Sequence, residues 1–455
     1  MSIARPVPIL SRHERMRYRN QGRWILRELY REPSGKSAMR SSHLIAASEP
    51  AKRASIPLGA YGPSGENGAA GSTLAGTLHV CVLSPLGAGL YKSDVGYSGG
   101  AEFQLFLLAR ALSSEADYRV SVLTTVNDGA GTEQVGLVTL IKRRAGGRLD
   151  NNGCWPAPKV IRGYVSAFLE MFALLRSIDA DVYIHAGAGV EVGAYALICR
   201  LLHRRFVFVV ASSADLCEPY GKVRSPLRWL YPLGVRFAHT VVCRSEEQQE
   251  WLHTRFHKVG VVIRSAHAEV KAQSRDQAPS ERHTLLWVGR VTPVKRPHQF
   301  LDVVRHFSDE PCTMVIMKDD GYPDLWLEIR KQAAALPNLR VCENVAWHAM
   351  DRFFEEAKVL VCTSEYEGFP NTFVQAAMAG APILSWSVDP DGVLVRHGIG
   401  MCAAGSFEEL LRMLQQLLSS RSLRDEYGRR AYAYATEYHR LSDAVERFKH
   451  MIRSL

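Results

Sequence analysis

Two basic residues five positions apart, Arg290 and Lys295, lie in the segment GRVTPVKRP, which follows the apolar run 284–288. The run is typical of a buried strand, and Pro293 favours a turn that would bring both cations to one place. A guanidinium can bind a phosphate through two hydrogen bonds, and an ammonium adds a point charge. The pair is suited to hold a diphosphate and to stabilise the charge that grows on it as it leaves a substrate. The alternative is that both are solvated surface cations.

A second set of candidate residues lies in the stretch 359–391. Residues 359–362 are typical of a buried parallel strand, residues 363–370 form a turn-rich loop with Glu367, and residues 371–380 have helical spacing. In open α/β sheets, ligands bind beyond the carboxyl ends of the strands. The first amides of such a helix, together with its dipole, suit an anion such as phosphate. A carboxylate in the loop can accept hydrogen bonds from the hydroxyl groups of a ligand.

The segment EGFPNTFVQA, residues 367–376, resembles the donor-binding motif of the family-4, or group 1, retaining glycosyltransferases. The later VDPDGV is similar to a bacterial polysaccharide-biosynthesis branch of that family. The family motif places seven residues between two glutamates; here the first is Glu367 and the second position is Gln375. The resemblance extends from about residue 78 to the C-terminus. It implies the GT-B fold, in which two Rossmann-like domains with parallel sheets face a central cleft and the last helix crosses back.

The resemblance also implies roles for individual residues. Arg290, Lys295 and Glu367 would be the catalytic residues. The donor would be bound by the loop, by the start of the helix and by a glycine pair near the first strand, namely Gly99, Gly100, Gly368, Phe369, Pro370, Asn371, Thr372 and Gln375. Gln375 can still hydrogen-bond a ribose hydroxyl but lacks a bidentate carboxylate. The glutamine at this position is therefore expected to affect the affinity for the ribose more than the activity.

Two weaker signals belong to the N-terminal half. Gly99 and Gly100 precede the predicted helix 103–112 and allow a phosphate to approach the backbone closely, although glycines open many helices. His185 ends the predicted strand 181–185, and the resemblance implies that it touches the acceptor or the donor sugar. A lone histidine is a weak signal, and the alternative is a purely structural role.

The triplet Asp389-Pro390-Asp391 spells the DxD signature with which the other glycosyltransferase fold, GT-A, holds a divalent metal ion. The signature is short and arises often by chance, and the segment has the composition of a turn. Arg290 and Lys295 would already supply positive charge for a diphosphate. We therefore expect an enzyme without a metal site and without a cofactor, since the nucleotide sugar is itself a substrate.

The net charge of +10 is concentrated near the N-terminus, because residues 1–76 hold 12 Lys and Arg against 5 Asp and Glu. This composition predicts a basic, disordered extension, and the remaining chain is too weakly charged for us to expect a nucleic acid partner. Residues 12–31 interleave arginines with Trp24, Ile25 and Leu26. They could instead form an amphipathic helix on an anionic membrane.

The sequence also bears on the compartment. Nine cysteines occur without a CxxC pair, which favours reduced thiols. The chain contains no apolar run of the roughly 20 residues that span a bilayer, and its start lacks the apolar core of a signal peptide. We predict a cytoplasmic protein. If it associates with a membrane, we expect peripheral contact at the inner face of the plasma membrane.

Strand and helix patterns alternate twice along the chain, which predicts an α/β protein with two parallel sheets. The expected division is a basic extension (1–76), a Rossmann-like acceptor-side domain (77–264), a linker (265–283), a Rossmann-like donor domain (284–426) and C-terminal helices that return to the first domain (427–455).

These observations predict a glycosyltransferase that moves a sugar from a nucleotide-diphosphate sugar to a saccharide or lipid-linked acceptor with retention of configuration, in polysaccharide biosynthesis. One alternative is a sugar-nucleotide epimerase, since such enzymes share the fold. Another is a non-catalytic protein that binds nucleotide sugar or RNA through its arginine-rich extension. The donor sugar, the nucleobase and the acceptor are not specified by any motif.

Overall fold

The computed structural model describes residues 76–92, 99–127, 129–144, 158–217, 227–268, 282–319 and 321–455. The predicted extension up to residue 75, with its basic segment 12–31, lies outside the described residues, as do residues 269–281 of the predicted linker. No helix in the described ranges combines the length and the apolar character needed to cross a bilayer.

The N-terminal half of the described chain builds one sheet. Its strands are β1 (Leu78–Leu83), β2 (Tyr118–Val126), β3 (Gly131–Val135), β4 (Val138–Arg144), β5 (Val182–Ala186), β6 (Arg205–Val209), β7 (Thr240–Cys243) and β8 (Val261–Val262). They lie in the order β3-β4-β2-β1-β5-β6-β7-β8, and only the edge pair β3–β4 is antiparallel. The central strands are short apolar runs because helices cover both faces of a parallel sheet.

The helices of this half are α1 (Ala88–Lys92), α2 (Gly100–Ser113), α3 (Pro158–Ile178), α4 (Val190–Leu201), α5 (Ala214–Cys217), α6 (Leu230–Phe237) and α7 (Glu246–Phe256). One side of the sheet packs on α3, α4, α6 and α7 around the fully buried Tyr183, Phe206 and Tyr231. The other side packs on α2 around Leu105 and Leu112. Helices α1, α4, α5 and α7 directly follow strands β1, β5, β6 and β7, so their N-termini lie at the carboxyl edge of the sheet.

The C-terminal half builds a second, wholly parallel sheet. Its strands are β9 (Thr284–Arg290), β10 (Cys312–Met317), β11 (Leu339–Glu343), β12 (Ala357–Cys362), β13 (Ile383–Ser385) and β14 (Gly400–Cys402). They lie in the order β11-β10-β9-β12-β13-β14. The helices around it are α8 (Pro297–His306), α9 (Pro323–Ala333), α10 (Asp351–Glu355), α11 (Asn371–Met378), α12 (Val393–Arg396), α13 (Phe407–Ser419) and α14 (Arg421–Tyr438).

The last helix, α15 (Leu441–Arg453), returns to the first sheet. Its buried face, Val445, Phe448, Met451 and Ile452, packs with α2 and strands of the N-terminal half in one apolar cluster. At the crossover, the His267 N–H donates to the His439 carbonyl at 3.0 Å and the Leu441 N–H donates back to the His267 carbonyl at 3.1 Å. The predicted fold class, two parallel α/β domains with a returning C-terminal helix, is confirmed.

Candidate active site

The loop after β12 is fixed onto the turn after β9. The Thr363 hydroxyl donates to the Lys295 carbonyl at 2.7 Å and accepts from the Trp287 indole N–H at 2.9 Å. The Glu365 N–H donates to the Val294 carbonyl at 2.9 Å. Both segments leave the carboxyl edge of the same sheet, so these bonds hold the charged loop beside the basic turn.

Lys295 and Glu367, two of the predicted catalytic residues, are in direct contact. The Lys295 ammonium donates to Glu367 Oε1, and the two side chains are only 24% and 18% exposed. Burial raises the pKa of the neighbouring Cys362 thiol, and the Glu367 carboxylate adds to that rise. An ammonium has three donors, so Lys295 can bind a phosphate oxygen while it remains paired.

Arg290, the third predicted catalytic residue, is positioned by an aspartate that no sequence motif indicates. Asp319 Oδ2 lies 3.3 Å from Arg290 Nη1, and its Oδ1 accepts from the Gly321 N–H at 2.9 Å. Asp319 is nearly buried and follows β10, the strand next to β9. An acidic residue just after a buried strand is the signal that could have identified it.

The helix N-terminus predicted to hold phosphate is present in α11, which begins at Asn371 after the N-cap Pro370. In the described part of the chain, no acceptor receives the N–H groups of Asn371 and Thr372. The opposite face of the helix, with Phe373 and Val374, is buried in the core. Two free amides and the positive end of the helix dipole therefore lie beside Glu367 and can bind an anion.

Gln375 lies one turn further along α11 and is partly exposed. Its position four residues after Asn371 puts both side chains on one helix face. The Gln375 side chain forms no hydrogen bond with the residues that the structure describes. An amide in this place can donate and accept one bond each, which is compatible with a hydroxyl ligand.

The predicted glycine pair meets this helix across the two domains. Gly100 is the first residue of α2, and its carbonyl accepts from the Asn371 side-chain amide at 2.8 Å. Gly99 is the extended N-cap residue, and its carbonyl accepts from the Phe103 N–H at 3.0 Å. The N-termini of α2 and α11 therefore converge, so that two helix dipoles point towards the same region between the domains.

Gly368 and Phe369 have packing roles in this structure. A Cβ on Gly368 would lie 2.7 Å from the Ala211 carbonyl oxygen of the first domain, a separation that real side chains do not adopt. The Phe369 ring is buried, 4.6 Å from the ring of His439, and its carbonyl accepts from the Ser265 hydroxyl at 3.3 Å. Contacts of these two residues with a ligand would therefore have to be made by the backbone.

His185 lies at the carboxyl end of β5 in the first sheet and is 3% exposed. Its Nδ1–H donates to the Leu83 carbonyl at 2.8 Å, and its ring packs edge-on against Tyr195 with centroids 5.1 Å apart. Its Nε2 is buried and has no partner in the described chain. The ring is held by Nδ1, and His185 has no hydrogen bond or ring contact with the described loop 363–370.

The two aspartates of the DxD triplet cap helices. Asp389 Oδ1 accepts from the Leu394 N–H of α12 at 2.8 Å, and burial raises the pKa of Asp389. Asp391 accepts from the N–H groups of Glu246 and Glu247 in α7 at 3.1 and 3.0 Å, so it caps a helix of the other domain. Within the described residues, no group of three or more His, Cys, Asp and Glu side chains is arranged to hold a metal ion.

Replacing Asp391 with Asn is expected to loosen the contact between the domains. Asn tolerates the left-handed backbone that Asp391 adopts, at φ 55°, but it offers one acceptor oxygen and no charge to the two amides. Hydrogen exchange at Glu246 and Glu247 should accelerate roughly fivefold, for a loss of about 1 kcal/mol. The matched variant Asp389→Asn, whose cap lies within one domain, should leave those two amides unchanged. Equal protection in all three proteins would refute the interdomain cap.

The crossover contains a buried neutral histidine, His439. Its Nδ1–H donates to the Ser265 carbonyl at 2.6 Å, and its Nε2 is buried without a partner in the described chain. Burial lowers the pKa of His439 from 6.5 to about 4. Protonation of Nε2 would place an unpaired charge in the core between the two domains.

The free energy of unfolding is expected to fall as the pH decreases from about 6.5 towards 4. In this window the unfolded chain has bound a proton at His439 and the folded chain has not, so the loss approaches about 3 kcal/mol. Urea titrations across this range should show a smaller pH dependence for His439→Gln than for the wild type. The exposed His253→Gln is the matched control and should keep the wild-type slope. An unchanged slope in the His439 variant would assign the effect to other groups.

Comparisons with known proteins agree with this geometry. Residues 270–434 match the family model of the group 1 glycosyl transferases. The chain is 24% identical over 360 residues to the D-inositol 3-phosphate glycosyltransferase of Streptomyces scabiei (strain 87.22), covering 70% of this chain and 78% of that protein. A 104-residue segment is 31% identical to the Vi polysaccharide biosynthesis protein VipC/TviE of Salmonella typhi, covering 22% of this chain and only 18% of that protein.

Solved structures share the arrangement of both domains. Sucrose-phosphate synthase from Thermosynechococcus elongatus superposes with a TM-score of 0.65 at 15% identity, covering 83% of this chain and 98% of that one. The Anabaena protein HepE, solved with UDP and glucose, superposes with a TM-score of 0.60 at 16% identity, covering 83% and 100%. Residues 270–434 thus match the group 1 glycosyl transferase family model, and the described chain has the two-domain GT-B fold.

Proposed function

We propose that the protein transfers a sugar from a nucleotide-diphosphate sugar to a saccharide or lipid-linked acceptor with retention of configuration. The observation that carries this proposal is the convergence of Lys295, Glu367 and the free N-terminus of α11 at one carboxyl edge, with Arg290 at the end of the adjacent strand β9. Cations and free amides suit the diphosphate, and the carboxylate suits the sugar.

Each group has a distinct role in the proposed reaction. The bond between the sugar and the diphosphate breaks, and the leaving diphosphate gains negative charge. Arg290, Lys295 and the amides at the start of α11 stabilise that charge, which is larger in the transition state than in the bound donor. Glu367 accepts hydrogen bonds from sugar hydroxyls, and its charge favours an oxocarbenium-like transition state. Gln375 binds the ribose.

Retention is proposed to proceed without a covalent intermediate. Glu367 is held by the ammonium of Lys295, which reduces its strength as a nucleophile. The departing diphosphate would then accept the proton of the incoming hydroxyl on the same face of the sugar. The acceptor would enter from the N-terminal domain, where His185 lies at the carboxyl edge of the first sheet.

The biological setting is also a proposal. The names of the relatives include polysaccharide biosynthesis and transfer to an inositol phosphate, and HepE was solved with UDP and glucose. They support a nucleotide-sugar donor and an acceptor in polysaccharide assembly. We place the reaction in the cytoplasm, without a metal ion or cofactor, at the inner face of the plasma membrane.

Incubation with a panel of nucleotide sugars and EDTA is expected to release nucleoside diphosphate only when a saccharide or lipid-linked acceptor is present. Proton NMR of the product should show the same anomeric configuration as the donor. The Asn371→Asp variant, which adds a negative charge at the start of α11, should lower the turnover with every donor. Asp324→Asn, at the start of α9, is the matched control and should retain it.

Other outcomes of the same panel identify the alternatives. Epimerised or free sugar formed without an acceptor would favour an epimerase of this fold. Binding of a nucleotide sugar without any turnover would favour a binding protein. The metal-independent mechanism would be contradicted if activity required magnesium or manganese and if variants of Asp389 and Asp391 were inactive.

A further inference from the structure

One face of the N-terminal domain concentrates exposed apolar side chains. Of the 16 large hydrophobic residues that are exposed in the described chain, seven lie on α3, on α4, or on α6 with its N-cap residue Trp229, namely Val165, Leu169, Leu197, Leu201, Trp229, Leu233 and Phe237. We call this the α3/α4/α6 face. Scattered exposed apolar residues are normal on a protein surface, but a group on adjacent helices marks a binding surface.

Close packing of α4 on α6 makes this surface continuous. A Cβ on Gly193 would collide with the Leu230 carbonyl oxygen, and a Cβ on Gly234 would lie 2.5 Å from the Gly193 nitrogen. The two backbones are therefore in contact, and their outward ridges lie side by side. The guanidinium of Arg200 stacks 5.7 Å from the centroid of the Phe237 ring, which joins the exposed residues of the two helices.

Three arginines of the α3/α4/α6 face have no acidic partner among the described residues. Arg200, Arg228 and Arg236 are exposed, and none of them has a carboxylate within salt-bridge distance in the described part of the chain. Several exposed arginines elsewhere do pair along their own helices, for example Arg352 with Glu356 and Arg412 with Glu409. The α3/α4/α6 face therefore offers positive charge to an external partner.

We infer that the α3/α4/α6 face docks on an anionic lipid surface. Aromatic residues such as Trp229 favour the interface between headgroups and acyl chains, and arginines can place their stems on apolar surface while the guanidinium reaches phosphate. A second copy of this chain fits less well, because a twofold self-contact brings the same unpaired arginines together. The inference deepens the proposed function, on which it rests: it places the acceptor-side domain against a membrane that would carry a lipid-linked acceptor.

Vesicle sedimentation of the full-length protein tests the inference. Binding is expected with vesicles of phosphatidylcholine and phosphatidylglycerol in a 7:3 ratio, and not with phosphatidylcholine alone. The triple variant Arg200→Gln/Arg228→Gln/Arg236→Gln should lose on the order of 100-fold in partition coefficient at low salt. The matched control, Arg421→Gln/Arg429→Gln/Arg447→Gln, removes three exposed arginines elsewhere and should bind like the wild type. Higher salt should narrow the difference.

The apolar ridge is tested separately with Trp229→Ser/Phe237→Ser, matched to Leu327→Ser/Val395→Ser at exposed sites of the other domain. Only the first pair should weaken binding to anionic vesicles. Equal losses in the arginine variant and its control would assign binding to net charge, including that of the basic extension, and would overturn the inference. The inference would also be overturned if the wild-type protein were a dimer and the Trp229/Phe237 variant were a monomer that binds vesicles as the wild type does. Sedimentation requires no turnover, so its failure is distinguishable from failure of the proposed reaction.

Discussion

Replacing either Arg290 or Lys295 with alanine is expected to lower kcat on the order of 100-fold or more, because each removes a charge that stabilises the leaving diphosphate. Affinity for the donor in the ground state should change less than kcat, since the charge on the bridging oxygen grows only as the bond breaks. Steady-state kinetics with a saturating acceptor separates the two effects. If kcat/KM falls only because KM rises, the residue contributes to donor binding and not specifically to stabilisation of the transition state.

The neighbouring Arg296 provides a matched control for this prediction. It is adjacent to Lys295, but its guanidinium stacks 4.1 Å from the centroid of the Trp386 ring. Arg296→Ala should therefore keep kcat within about threefold of the wild type, while it removes the same charge from the same loop. Turnover within threefold of the wild type in both the Arg290 and the Lys295 variants would contradict the proposed role of the pair.

Replacing Phe448 with alanine is expected to destabilise the N-terminal domain by about 3–5 kcal/mol, although Phe448 follows the donor domain in the sequence. Phe448 is 3% exposed and lies in the apolar cluster that α15 shares with α2 and the first sheet. Its removal leaves a cavity in a core that cannot collapse completely. Hydrogen exchange during urea unfolding should show earlier opening of β1 and β2.

The control for the Phe448 variant is Leu327→Ala on α9, where the side chain is 62% exposed. Its effect on the free energy of unfolding should stay within about 0.5 kcal/mol. If Phe448→Ala leaves the opening of β1 and β2 unchanged, α15 does not stabilise the first domain as its packing indicates.

The fold and the elements of the site could be predicted from local patterns. Apolar runs at regular spacing identified the central strands, because a parallel strand is buried on both faces and shows as a continuous hydrophobic segment. Helix α11 begins at Asn371 as predicted and ends at Met378, two residues before Gly380. These features depend on side chains that are close together in the sequence.

Contacts between distant segments could not be predicted in this way. Asp319 positions Arg290 from a neighbouring strand, and Asp391 caps a helix more than a hundred residues earlier in the chain. Neither contact has a local signature, since each depends on how the two sheets and domains come together. The antiparallel strand β3, with the polar sequence GTEQV, was missed because its structure depends on pairing with β4 rather than on an apolar pattern.

The proposed function depends most on Arg290, Lys295 and the start of α11, which are proposed to hold the diphosphate of a nucleotide-sugar donor. The most direct test is a crystal structure of the protein soaked with the nucleoside diphosphate that most raises its melting temperature. The terminal phosphate is expected within hydrogen-bond distance of both cations and of the Asn371 or Thr372 N–H group. A diphosphate bound away from Arg290 and Lys295, with α11 unoccupied, would contradict it.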